Sequence, residues 1–296
     1  MTIDTAAVQQ VSDDFRLSGN IELISNGNNI IYRVGEHSVR CHTRASLDEV
    51  ENEMIWLESL NHSDIPHQRP VGTTLIKEHP VSIVTWVEGH HVKTRSPQHF
   101  HLMGKLAARL HNHAESWTPP EGFHRWSYDG HELKRLLSPY LPYFPEPMVA
   151  DVNAMFGLVT DACNAIERVP ETFGLCHLDF KQANTLYIDG NHPGSHTDIA
   201  PIDFEGLGYA FFLQDVATAL NGPSWEPDYE AVRTAFLDGY LSLRPLQHIE
   251  LIPAFQAGRC GEMLLDAMQR GHRDGAGFAW QCLRKSMGLP MLEGMT

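Results

Sequence analysis

The stretch Cys176-His177-Leu178-Asp179-Phe180-Lys181-Gln182-Ala183-Asn184 places a carboxylate and a carboxamide five residues apart, and Asp203-Phe204-Glu205 follows 19 residues beyond Asn184. As a pattern it reads H-x-D-x-x-x-x-N … D-F-E. Phosphoryl transfer asks little covalent chemistry of a protein. It needs one carboxylate to orient an attacking hydroxyl and take its proton, and hard oxygen ligands to hold Mg²⁺ on the phosphates. Asp179 is the candidate base, and Asn184 and Asp203 are the candidate metal ligands. A loop carrying Asp179 and Asn184 can aim one at the hydroxyl and the other at the metal, while Asp203 arrives from the end of a second strand. A lone D-x-x-x-x-N arises by chance in polar loops, so the argument rests on the elements that surround it.

Those elements begin with period-two alternation. Ile21 to Ser25, Ile30 to Val34 and His37 to Cys41 read as antiparallel strands, the last two joined by a Gly35-Glu36 turn. Ser46 with Glu49 forms a capping box, and Val50, Met54, Leu57 and Leu60 mark one apolar helical face. Two more strands follow, Gly72 to Ile76 and Val81 to Val87, split by a His79-Pro80 turn. This is a small antiparallel lobe of five strands and one helix. Beyond Glu88-Gly89 the pattern turns helical: Leu102, Leu106 and Leu110 form one stripe, Val152, Phe156, Val159, Cys163 and Ile166 another. Thr185 to Ile188 and Ile199 to Ile202 read as strands around an Asp189-Gly190 turn and a polar tip, and helical patterns resume from Leu213. The expected fold is α+β and bilobal, with residues 1–89 as the β lobe ending in a hinge and 90–296 as a mainly helical lobe carrying the catalytic loop and acceptor pocket.

Bulk properties narrow the partners. Among 296 residues, 22 basic and 37 acidic side chains leave a formal charge of −15, which argues against an extended nucleic-acid surface built from clustered Lys and Arg. No window approaches about 18 consecutive apolar residues and the N-terminus lacks the basic start of a signal peptide, so the expectation is a cytoplasmic protein without a membrane partner. The five cysteines are scattered without a C-x-x-C pair and read as reduced, mostly buried thiols. The 18 histidines fall in no H-E-x-x-H pattern.

With these residues in view, the sequence resembles the aminoglycoside phosphotransferase and choline kinase superfamily, small-molecule cousins of protein kinases, over most of the chain. The resemblance implies a protein-kinase-like fold, ATP or another NTP, and Mg²⁺. The family's catalytic loop maps onto His177, the base Asp179 and the metal ligand Asn184, and its metal-binding Asp onto Asp203. The D-L-A-like signature maps onto Asp215-Val216-Ala217, implying that Asp215 braces the catalytic loop. Leu106 to His111 resembles the helix ending in A-x-L-H. Val84 to Gly89 resembles the hinge strand, with backbone groups near Trp86 bonding the adenine, and Glu53 occupies the place of the helix carboxylate that pairs with the phosphate-gripping cation. That cation is Arg40 here, where many relatives have Lys; Arg can hold phosphate oxygens and Glu53 together. The nucleotide loop, Ser25, Asn26, Gly27, Asn28 and Asn29, has one Gly rather than G-x-G-x-x-G.

Several residues carry two readings. His177 reads as a structural loop residue bonding near Asp203, Glu205 as a second metal contact or a solvated carboxylate, and Lys181 as a phosphate contact or a surface lysine. Trp225 and Tyr229, beside Glu226, Asp228 and Glu230, read as core or surface packing or as an ammonium pocket. The acidic run hints at a cationic acceptor, and residues 122–150 and 221–296 are expected to line its pocket. The function so read is transfer of a γ-phosphoryl group to a hydroxyl of an amino alcohol, amino acid, sugar or aminoglycoside. A protein Ser/Thr kinase of the same fold, or a silent nucleotide-binding regulator, is the alternative. The absence of an A-P-E segment and long activation loop favours the small acceptor.

Overall fold

The computed structural model describes residues 3–91, 94–188 and 198–291. In chain order the elements are α1 (Thr5–Asp14), β1 (Ile21–Asn26), β2 (Ile30–Val34), β3 (His37–Cys41), α2 (Leu47–Ser59), β4 (Pro70–Ile76), β5 (His79–Thr85), α3 (Pro97–Ser116), α4 (Gly130–Leu137), α5 (Glu146–Ala165), β6 (Phe173–Cys176), β7 (Thr185–Ile188), β8 (Asp198–Pro201), β9 (Gly208–Phe211), α6 (Phe212–Asn221), α7 (Tyr229–Leu241), α8 (Ile252–Arg270) and α9 (Arg273–Ser286). The Asp189-Gly190 turn and the polar tip after it lie outside the described residues. Contacts divide the chain into two units. One comprises Met1–Lys93, Trp117–Arg125 and Ala183–Leu207, and the other Thr94–Ser116, Trp126–Gln182 and Gly208–Thr296. A single cut near residue 89 therefore misses two later segments that return to the first unit. The β7–β8 hairpin is one of them, and a bridge between His90 and Tyr187 ties it to the chain leaving β5.

In the first unit, five antiparallel strands run in the order β1-β2-β3-β5-β4. Alternation assigns their faces: Ile30, Tyr32, Val34, Val39, Cys41, Val81 and Ile83 are buried in one cluster with Val8 and Val11. Those two valines belong to α1, a helix the alternation pattern did not foreshadow. Asp4 caps it by accepting from the Ala7 amide at 2.9 Å, and each fully buried Val adds about 1.5–3 kcal/mol of apolar burial. The opposite face of the sheet presents Ile31, Ser38, Arg40, Ser82 and Val84 to a cavity. The expected capping box of α2 is present, with Ser46 and Glu49 bonding reciprocally. The His79-Pro80 turn is a correction. Ile76 pairs with His79, so Lys77 and Glu78 make the turn, Lys77 taking φ 57°, and Pro80 sits inside β5 opposite Leu75. Pro80 lacks an N–H, and its carbonyl accepts from His42 at 2.8 Å.

The second unit packs α4, α5, α8 and α9 around Leu133, Leu137, Val152, Met155, Val159, Leu264, Trp280 and Leu283. Three helices, not two, precede the catalytic loop, because the short α4 carries too few apolar repeats to stand out. The β6–β9 ladder, also absent from the sequence reading, pairs Phe173 with Phe211 and Cys176 with Gly208, delivering the chain directly to His177. Helices α3 and α7 meet at glycines. A Cβ on Gly239 would lie 2.0 Å from His101 O, and one on Gly104 would lie 2.0 Å from Phe236 O. Gly239→Val is expected to cost about 1–3 kcal/mol or more through overpacking; an unchanged denaturation midpoint would show that the two backbones do not approach this closely.

Candidate active site

The first unit holds a cavity of about 530 Å³, within the range of small-ligand sites. Ile24, Ile31, Leu57, Val84, Leu186 and Ile202 give it apolar walls, and Arg40, Glu53 and Asp203 supply charge. The register accounts for Arg40. On β3 it lies between Ile31 of β2 and Ser82 of β5, on the face away from the α1 core.

Three carboxylates converge on this arginine. Nη1 lies 3.7 Å from Glu53 Oε1, and Nη2 lies 2.5 Å from Asp203 Oδ1 and 2.7 Å from Glu205 Oε2. Burial opposes the Arg40 charge, but Glu53, Asp203 and Glu205 outweigh it and raise its pKa further. Its Nε is buried without a hydrogen-bond partner among the described residues. Glu205 is not a solvated carboxylate. Besides Arg40 it accepts from the Asn29 amide and lies 3.7 Å from His42 Nδ1. Burial works against its ionisation, yet His42, Arg40 and Asn29 together hold its carboxyl at about 2. The charge there is stable at any ordinary pH.

Asp203 follows β8 with φ 69° and ψ 64°, a left-handed conformation that Asp tolerates better than most residues. Ladder pairing of Thr185 with Pro201 is extended by Ile202 N donating to Asn184 O at 3.0 Å. The buried Asn184 and the half-exposed Asp203 are thus brought to one end of the β7–β8 hairpin. Carboxylates and a carboxamide are the hard oxygen donors Mg²⁺ prefers, so the residues present fit that ion.

Trp86 lines the cavity, but its amide donates to Glu36 O at 2.7 Å, leaving Val87, which also lines it, as the next backbone amide. Arg33 stacks on the Trp86 ring at 4.7 Å. In the nucleotide loop only Ser25 lines the cavity. Asn26, Gly27 and Asn28 form the turn beyond it, with Gly27 N donating to Asn29 O at 3.1 Å and Asn28 O accepting from the Thr43 hydroxyl. Arg125 was invisible in the sequence. It donates to Leu207 O, Glu49 O and Glu205 O at 2.7, 2.8 and 2.8 Å, pinning the loop after Asp203 to α2.

In the second unit the loop carrying Asp179 leaves β6 with Leu178 at φ 60°, strained for a bulky residue. Asp215, in the first turn of α6, holds that shape. Its Oδ2 accepts from His177 N at 2.8 Å and its Oδ1 from Leu178 N at 2.7 Å. His111 Nε2 lies 3.3 Å from the same Oδ2, and His111 Nδ1 hydrogen-bonds with the Tyr240 hydroxyl at 2.8 Å. His111, Cys176 and Asp215 cluster closely enough to suggest a metal, but Asp215 is committed to the loop amides and His111 to Tyr240. The His177 ring packs edge-on against Phe180. Asp215→Ala should strand two buried amides at about 1–3 kcal/mol each. Faster hydrogen exchange at His177 and Leu178 would register it, and unchanged protection would remove the brace.

Asp179 accepts from Lys181 Nζ on Oδ2 and from Arg259 Nη2 on Oδ1, both at 2.7 Å. Neither alternative for Lys181 anticipated this pair. Burial works against ionisation of Asp179, but Arg259 and Lys181 outweigh it and hold its carboxyl below the usual carboxylate range. Arg259 lies on α8 with no sequence signal tying it to the loop. The ammonium-pocket reading of Trp225 is corrected: Lys285 Nζ covers that ring at 4.7 Å and Glu226 pairs with Arg95 at 3.1 Å. All five cysteines are free thiols, four of them buried. No helix among the described residues is long and apolar enough to cross a membrane.

A model described as the phosphotransferase enzyme family matches residues 23–247. Homoserine kinase of Polaromonas naphthalenivorans (strain CJ2) is 25% identical over 240 residues, 75% of this chain and 71% of that protein. Amicoumacin kinase of Bacillus subtilis (strain 168) is 25% identical over 154 residues, 48% of this chain and 41% of that one. Among solved structures, the amicoumacin kinase hAmiN in complex with AMP-PNP, Ca²⁺ and Ami has a TM-score of 0.77 at 18% identity, covering 96% of this chain and 95% of that one. A microcompartment-associated aminopropanol kinase has a TM-score of 0.76 at 24% identity, with the same coverage. At those identities the structural likeness establishes the fold, which is protein-kinase-like and α+β as expected.

Proposed function

This chain belongs to the phosphotransferase enzyme family and is a kinase-type enzyme with an alcohol group as acceptor; from that premise we propose that it transfers the γ-phosphoryl group of ATP, with Mg²⁺, to the hydroxyl of a small amino alcohol or hydroxy amino acid. The observation that carries the reading is Arg40, with Glu53 and Asp203 beside it on the wall of a cavity that also has apolar walls, and with Glu205 bonded to it. Apolar walls with a few polar groups suit a base, and a buried cation suits phosphates.

In this reading Arg40, braced by Glu53, holds the nucleotide phosphates through donors now engaged with carboxylates and through its unpartnered Nε. Asn184 and Asp203 hold the metal, and Glu205 anchors Arg40. Bound Mg²⁺ would draw charge from the phosphate oxygens as a Lewis acid. Asp179 orients the acceptor hydroxyl and takes its proton as the new P–O bond forms and the bond from the γ-phosphorus to the β–γ bridging oxygen breaks, releasing ADP. The acceptor class draws on relatives named homoserine kinase and on the aminopropanol kinase of the same fold.

The test is ADP release from Mg-ATP across amino alcohols, hydroxy amino acids, sugars and aminoglycosides, with Asp179→Asn as control. Stimulation by an amino alcohol or hydroxy amino acid, absent in the variant, is the expected outcome. Stimulation by sugars or aminoglycosides alone would overturn the acceptor class, and failure to bind ATP would overturn the nucleotide assignment.

A further inference from the structure

Two cations flank the base, and they are built differently. Lys181 belongs to the same loop, is about half exposed and rides on a flexible stem. Arg259 comes from α8, with only 21% of its side chain exposed, and both ends of its fork are occupied. Nη2 donates to Asp179 Oδ1 at 2.7 Å while Nη1 donates to Glu262 Oε2 at 2.6 Å. Glu262 is held in turn, its Oε1 accepting from Gln214 Nε2 at 2.9 Å. Gln214 lies on α6 beside Asp215, the residue that carries the amides of His177 and Leu178. The base loop is therefore tied to α6 twice, once directly and once through α8.

A planar guanidinium with a carboxylate on each of two nitrogens cannot rotate without breaking one of them. We propose that Arg259, anchored by Glu262 and Gln214, is a positioning residue that sets the orientation and charge of the Asp179 carboxylate for proton removal from the acceptor. The proposal rests on the reading of Asp179 as the base. It explains why the partly exposed Asp179 carboxylate takes a partner from a helix 80 residues away in sequence.

The groups facing Asp179 are Arg259 and Glu262 from α8 and Lys181 and His177 from its own loop, with the buried Tyr128 beside the Arg259–Glu262 pair. Removing the Arg259 charge takes away the largest influence favouring the carboxylate. The Asp179 pKa then rises, and turnover that needs the ionised base is lost at a higher pH than in the wild type. Burial already pushes the Glu262 carboxyl up, so an Arg259→Gln/Glu262→Gln pair leaves no stranded charge if the single variant folds poorly.

The experiment compares Asp179→Asn, Arg259→Gln, Arg259→Lys and the double variant in the full chain. ADP release from Mg-ATP is followed against pH, with the acceptor the panel selects or with water in its absence, and the Asp179 carboxyl is titrated by ¹³C NMR. Arg259→Gln and the double variant are expected to lower kcat about 10- to 100-fold with KM for ATP unchanged, as misplacement of a reacting group does. In Arg259→Gln the acid limb and the Asp179 titration should both move to higher pH. Arg259→Lys should restore the position of the acid limb but only part of kcat, because an ammonium cannot hold two carboxylates in one plane. Wild-type kcat and an unmoved Asp179 titration in folded Arg259→Gln, with Asp179→Asn inactive, would overturn the proposal alone. Turnover by Asp179→Asn would instead overturn the base assignment beneath it.

Discussion

Asp179→Asn is expected to lower kcat by about 10²–10⁴-fold, the range that a positioned general base supplies, while ATP affinity and the melting midpoint stay close to wild type. The carboxylate makes its contacts at the mouth of the base loop, where 27% of its side chain is exposed. Arg259 keeps Glu262 as a partner and Lys181 can turn to solvent when the charge is lost. A carboxamide keeps the shape and can still accept from Arg259, but it cannot take a proton at neutral pH. The measurement is single-turnover ADP release beside a binding isotherm for ATP. Wild-type turnover would remove Asp179 from the chemistry, and loss of ATP binding together with turnover would make it a folding or nucleotide residue instead.

Asp203→Asn should be nearly as severe, about 10²-fold or more in kcat, with a raised Mg²⁺ requirement. The choice of Asn matters because position 203 sits at φ 69°, where Asn is tolerated and Ala is strained. The variant therefore tests the negative charge rather than the backbone. With Asp203 neutral, Arg40 still pairs with Glu53 and Glu205, and the sheet should hold. The check is a Mg²⁺ titration of activity alongside thermal melting. An unchanged Mg²⁺ dependence would take Asp203 out of the metal site, whereas a collapsed melting curve would mean that the Arg40 cluster is structural first.

The chain also shows how charge is arranged for such a site. Of the four charged groups in the Arg40 cluster three are acidic, so the set carries a net negative charge. Stable pairing alone would be served by one carboxylate per arginine. The excess of carboxylate is what the proposed divalent ion would offset, and Glu205, held at about 2, stays ionised throughout the ordinary pH range.

Much of this was local in the sequence and so legible there. The strands Ile30–Val34, His37–Cys41 and Thr185–Ile188 and the capping box at Ser46 depend on period and on neighbours within a few residues, which the linear order preserves. The pairing of Arg40 with Glu53 was legible too, through family resemblance, because both sit in elements of recognisable type. What the linear order could not hold were contacts between side chains far apart along it. Arg125 beneath the loop after Asp203, Asn29 and His42 on Glu205, and Arg259 on Asp179 are joined only by packing, and an arginine in a helix has no neighbour in sequence that announces its partner. The assignment of Glu205 followed the same logic. Its residue type permitted a metal contact or a solvated surface, and only the packing of the segment after β8 against β3 decided that it would meet Arg40. Residue identity thus determined which chemistries were open to this protein. Tertiary packing decided which charges face one another, because electrostatic interaction depends on distance through space and desolvation rather than on separation along the chain.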